Sequence, residues 1–169
     1  MRDRVKGMGS GANLTTLVHA VYTLILALWV GGISLFTFIV TPEIFRSYGR
    51  DAAGQIVGKL FPGYFVFILV LSALALLALL FSKSLFGQTS YRWSLVLTII
   101  AVAINVFVYF KLHPEIRSIK QKINSFQSLT EDSPERKTFR SLHAVSATLN
   151  LILLADGVTL LIISTSFKR

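Results

Sequence analysis

The sequence predicts an all-α fold: an integral membrane antiparallel four-helix bundle with a helical hairpin extension between helices three and four. Three observations predict it. Apolar residues make up 53% of the chain, against roughly 45–50% in soluble domains, and they lie in long blocks nearly free of charge. Four of these blocks supply the roughly 20 apolar residues that a helix needs to cross a bilayer core about 30 Å thick. The connections between blocks are short enough to join antiparallel neighbours. The 169 residues read as a single four-helix transmembrane domain, 1–169.

The first span covers about 14–41. It is too long for a signal-peptide core of roughly 7–15 residues, and no small-residue cleavage pattern follows it, so it is expected to be retained. Pro42 marks a kink or helix end. The mixed segment 51–60 is expected at the interface, before Pro62 and Gly63 lead into the second span, about 61–81. The third span covers about 93–112. After it, Ile116, Ile119, Ile123 and Phe126 make one apolar stripe at helical spacing, and Pro114 suits a first turn. Ser133, Pro134 and Glu135 then read as a second helix start, with a cap, a first-turn proline and an early acid. This predicts a charged hairpin turning at about 129–133 that carries helices three and four beyond the bilayer. The competing reading lays the amphipathic segment flat on lipid. The fourth span covers about 144–164.

The net charge is +9. In a soluble protein that balance points to nucleic acid. Here the charges sit at helix ends and in loops, where anionic headgroups attract them, and no motif of a nucleic-acid module is present. The lipid bilayer is therefore the expected partner, with a second copy or another membrane protein as the further one. Call the membrane face at the N-terminus side A and the opposite face side B. Counts of Lys and Arg do not separate the two sides by the positive-inside rule. The basic tail of Arg2, Arg4 and Lys6 favours cytoplasmic termini in a bacterial inner membrane.

No cysteine is present, which excludes disulfides, thiolate metal sites and cysteine nucleophiles. No G-x-S-x-G element, phosphate loop or dinucleotide fingerprint occurs, so no catalytic residue is assigned.

In lipid, close approach of small residues and interhelical hydrogen bonds hold helices together. Such faces are expected to point inward on helix one (Ala20, Thr23, Ala27, Gly31, Ser34, Thr41), helix three (Thr98, Ala101, Asn105, Tyr109) and helix four (His143, Ser146, Ala147, Asn150, Gly157). The alternative is that they line a polar pocket. Asn105 and Asn150 lie at similar depth, within reach of a mutual hydrogen bond of about 0.6 kcal/mol. Asp156 sits near the middle of helix four, where an ionised aspartate costs roughly 2.5–3.5 kcal/mol. It is either protonated and hydrogen-bonded or faces an ion pathway. Gly54 and Gly58 fit G-x-x-x-G but lie outside a clear span.

His113 and His143 fall at the side-B ends of helices three and four, a membrane thickness from His19. Joined by Glu43 or Glu115, they would make a donor set suited to zinc or copper. Glu43, Arg46, Lys59, His113, Glu115 and His143 together mark side B as the functional end, with a pocket roofed by 51–60. The competing reading is that these groups cap helices and meet headgroups.

Trp29-Val30-Gly31-Gly32 followed by Phe36, Pro42 and Phe45 resembles the first helix of transmembrane protein 205-like proteins. Ala53-Gly54 through Gly58, then Leu60-Phe61-Pro62-Gly63-Tyr64-Phe65, resembles that family's entrance to the second helix. His113-Pro114-Glu115-Ile116 resembles its segment after helix three, and Phe139, His143, Ser146, Asn150 and Gly157 its last helix. The family's bacterial members carry a domain of unknown function. It is distantly similar to copper-resistance protein D and to the bacterial membrane enzyme that oxidises protoporphyrinogen. The resemblance implies the four-helix membrane fold, and copper handling or haem-linked chemistry. The methionines, Met1 and Met8, lie outside the spans, and no histidine pair sits at mid-membrane, so haem is not expected. The expected function is accessory or structural work as a multi-pass membrane protein, with a small transporter or copper handling as the alternative.

Overall fold

Long apolar sequence becomes long helix. The computed structural model describes residues 3–81, 87–123 and 133–165, with side chains from Leu14 onward apart from Thr15. Its helices are α1 (Asp3–Leu35), α2 (Thr41–Ser47), α3 (Arg50–Phe81), α4 (Gln88–Phe107), α5 (His113–Lys122) and α6 (Pro134–Thr165). Wider π-helical turns, Phe36–Val40 and Val108–Leu112, join α1 to α2 and α4 to α5. The described residues therefore form four rods: α1–α2, α3, α4–α5 and α6. Each is long and apolar enough to cross a membrane. The protein is an all-α, multi-pass membrane protein.

Proline explains the wide turns. Pro42 and Pro114 lack the N–H that would bond Phe38 and Phe110, and their rings crowd those carbonyls. In each rod the helix widens just before the proline, which relieves the crowding without breaking the rod. Of the two outcomes expected at Pro42, a kink or a helix end, the end does not occur: the rod continues to Ser47. Nor do Pro62 and Gly63 break the second rod, because α3 runs through both. Residues 51–60 are the first turns of α3 rather than a separate interfacial segment.

The rods form a ring. The first packs against the second and fourth, and the third packs against the same two. Beyond the spans, α5 continues the third rod and packs on α6, where Ile116 and Leu142 share one apolar cluster. The last rod starts at Pro134, as the sequence indicates, and the Ser133 carbonyl accepts the Lys137 N–H, but the Ser133 hydroxyl expected to cap it has no hydrogen-bond partner among the described residues. Phe126 and the expected turn at 129–132 lie outside the described residues.

The core is built from large residues. Tyr22, Leu26, Trp29 and Ile33 recur at four- and three-residue steps on α1 and are fully buried. Ser94, Thr98, Ala101, Asn105, Val108 and Leu112 make the matching face of the third rod. Leu24, Leu28, Phe38, Ile99 and Ile162 point outward, where lipid replaces water. The small face expected of helix one is corrected: Ala20, Ala27 and Gly31 are exposed. Close approach occurs instead where a glycine meets a large neighbour. A Cβ at Gly157 would lie 2.9 Å from Val30 Cγ2, and one at Gly32 would lie 2.6 Å from the Phe67 ring. On helix four, Ser146 and Gly157 are buried and Asn150 half-buried, while Ala147 and His143 are exposed.

Candidate functional site

The side-B ends of all four rods line an open cavity of about 1040 Å³. Its basic lining comes from three helices: Arg50 and Lys59 on α3, Arg117 and Lys120 on α5, and Arg136 and Arg140 on α6. Asp51 is the single acid among the described lining residues. Phe45, Phe61, Phe65 and Phe139 supply its aromatic surface.

Helical spacing assembles these walls. Phe61 and Phe65, one turn apart on α3, stack with ring centroids 5.4 Å apart. His113 meets Phe65 edge-on at 5.3 Å and Phe61 at 6.5 Å. Phe139 and His143, one turn apart on α6, stack nearly parallel at 5.9 Å. Both histidines thus serve as aromatic walls.

Lys120 ties the third rod to the second. It is half-buried, and its ammonium donates to the Gly54 carbonyl. Gly58 makes room for it, since a Cβ there would lie 2.6 Å from Nζ. The G-x-x-x-G pair therefore seats a lysine from another rod.

Below the cavity the bundle closes. The Tyr64 hydroxyl donates to Asn150 Oδ1 at 2.5 Å, and Asn150 Nδ2 donates to Thr37 Oγ1 at 2.8 Å. Asn105 Nδ2 donates to Ser72 Oγ at 3.2 Å. The two asparagines are bonded to other rods, and the mutual hydrogen bond that their similar depth allows is not made. Both line a void of about 10 Å³, room for one water at most.

Three expected site residues separate here. His113 and His143 line the cavity, but Glu43 does not. Glu43 is exposed and accepts hydrogen bonds from Arg46 at 3.1 Å and Ser47 at 3.4 Å, one turn along α2. Among the described residues no group of three or more His, Cys, Asp or Glu could hold a metal ion. Six bases around two imidazoles also repel a cation. The donor set does not fit copper or zinc. Asp156 stands apart from this end: both its carboxylate oxygens are buried and have no hydrogen-bond partner among the described residues. Of the other side-B residues singled out in the sequence, Lys59 lines the cavity, and Arg46 and Glu115 do not.

Arg50, Arg117, Lys120, Arg136 and Arg140 were missed. In sequence they read as loop charges near headgroups. The available signal was their spacing on helices that extend past the bilayer. Arg136 and Arg140 fall four apart beside Phe139 and His143, and Arg117 and Lys120 fall three apart.

A family model described as "Domain of unknown function (DUF4149)" matches residues 24–125. The chain belongs to the DUF4149 family. That match takes in the cavity residues of α2, α3 and α5, and the α6 residues Arg136 to Ser146 lie beyond it. An uncharacterized protein of Aquifex aeolicus (strain VF5) is 28% identical over 147 residues, covering 86% of this chain and 94% of its own. No solved structure matches.

Proposed function

We propose that this DUF4149 protein is a non-catalytic accessory protein of the bacterial inner membrane that holds an anionic amphiphile in its side-B cavity. The observation that carries the reading is the lining: among the described residues, six bases and one acid over a phenylalanine surface, at the end of a membrane-spanning bundle. Like charges on low-dielectric walls focus a field that concentrates the opposite charge. Each basic residue near a membrane surface attracts anionic lipid by about 1 kcal/mol. The rings offer an apolar group somewhere to lie.

The closed bundle beneath the cavity supports holding a ligand over conducting one, so the small-transporter reading is the weaker. Copper handling, implied by the resemblance to transmembrane protein 205-like proteins and copper-resistance protein D, runs against the sign of the cavity. Cytoplasmic termini, favoured by the basic N-terminal tail, would open the cavity toward the outer leaflet.

Thermal unfolding of the whole protein in an uncharged detergent tests this with two amphiphiles of one tail length. Decyl phosphate is expected to raise the Tm, since a ligand at 100 times its Kd stabilises by about 2.7 kcal/mol. Decyltrimethylammonium is expected to leave the Tm unchanged. Equal responses to both would remove charge as the basis of binding.

A further inference from the structure

We infer that the cavity takes a phospholipid whose headgroup carries at least two negative charges, an inference that rests on the anionic-amphiphile reading above. Three features of the lining lead there. The first is charge number. Six bases outnumber one acid among the described lining residues, and a headgroup with two charges answers more of that excess than a singly charged one. A phosphomonoester brings close to two charges on one atom cluster.

The second is the kind of base. Four of the six are arginines, Arg50, Arg117, Arg136 and Arg140. The planar guanidinium fork bonds two phosphate oxygens at once, which an ammonium cannot do. Arg136 and Arg140 lie one turn apart on α6, and α6 packs on α5, which bears Arg117. Lys120, tied to Gly54, has three N–H donors in all and keeps two beyond that bond.

The third is size and surface. A cavity of about 1040 Å³ stands at the top of the roughly 300–1,000 Å³ range of small-molecule sites, far more than a free phosphate fills. Phe61 and Phe65, stacked at 5.4 Å, give a glycerol backbone and first methylenes an apolar bed below the charged wall. The void beneath is too small to admit a chain, so the rest of the lipid stays at the level of its own leaflet.

The whole protein in uncharged detergent is titrated with dioctanoyl phosphatidate, dioctanoyl phosphatidylglycerol, dioctanoyl phosphatidylcholine and inorganic phosphate, and followed by thermal unfolding. Phosphatidate is expected to bind at least about tenfold tighter than phosphatidylglycerol, a difference of about 1.4 kcal/mol. Inorganic phosphate is expected to be weaker again, and phosphatidylcholine without effect. The Arg117→Gln, Arg140→Gln protein is expected to lose the preference for phosphatidate while unfolding normally without lipid, since both side chains are exposed. Equal binding of phosphatidylglycerol overturns the charge requirement, and equal binding of inorganic phosphate overturns the lipid. Either result leaves the anionic reading intact. Silence of all four ligands alongside a normal response to decyl phosphate overturns the phospholipid alone. Silence of decyl phosphate as well overturns both.

Discussion

Replacing Arg117 and Arg140 with glutamate together is expected to weaken decyl phosphate binding by about 100-fold or more, which corresponds to about 2.8 kcal/mol. The change takes the described lining residues from six bases and one acid to four bases and three acids. Two carboxylates then face the incoming phosphate where two guanidiniums faced it before. Both positions are exposed, so salt screens them and the fold does not depend on them. Wild-type affinity should accordingly fall between 0.05 and 0.5 M salt, and the reversed protein should show little further loss. Titration of both proteins at the two salt levels measures this. Affinity of the reversed protein within threefold of wild type would mean that the phosphate is held elsewhere.

Trp29→Ala is expected to cost about 3–5 kcal/mol of stability, the range for truncating a large buried aromatic. Trp29 is fully buried in the core with Tyr22, Leu26 and Ile33, and a Cβ at Gly157 would come within 3.9 Å of its ring. Lipid cannot refill a gap inside the bundle, so the lost contacts are not replaced. Two controls locate the effect. Trp29→Phe keeps most of the ring and removes an indole N–H that has no hydrogen-bond partner among the described residues, so it should cost far less. Trp93→Ala, at a position 61% exposed, should be nearly neutral. Unfolding of detergent-solubilised protein by increasing denaturing detergent compares all three. Equal loss from Trp29→Ala and Trp93→Ala would contradict the buried face assigned to α1.

The four spans were legible because a bilayer imposes a length and an apolar content that local sequence cannot hide. The inward face of the third rod was legible too, since Thr98, Ala101 and Asn105 are small or polar in a helix otherwise made for lipid. The face of α1 was misread for a physical reason. Small residues permit close packing but do not require it, and Trp29 packs as well if its neighbour supplies Gly157. Proline misled at 42 and 62, because its cost to a helix can be met by a wider turn or by a lost bond within a long rod. The asparagines were correctly placed inside the bundle, yet their partners Ser72, Tyr64 and Thr37 come from rods whose rotation sequence does not state.

Side B was legible as the end where unusual residues gather, but its sign was not. His113, His143 and Glu43 drew attention as metal donors, whereas Glu43 is held on the outside by Arg46. The six bases lie on three helices and converge only where the ends of α3, α5 and α6 meet. That convergence is a property of the extended rods, and each base taken alone is ordinary for a loop at a headgroup surface.

The most direct test of the central claim is native mass spectrometry of the full chain released from nanodiscs containing equal amounts of dimyristoyl phosphatidate and dimyristoyl phosphatidylcholine. The account predicts adducts of the phosphatidate mass that survive activation on the wild-type protein and are absent from the Arg117→Glu, Arg140→Glu protein. Adducts that reflect the nanodisc composition, with no excess of phosphatidate and no difference between the two proteins, would contradict it.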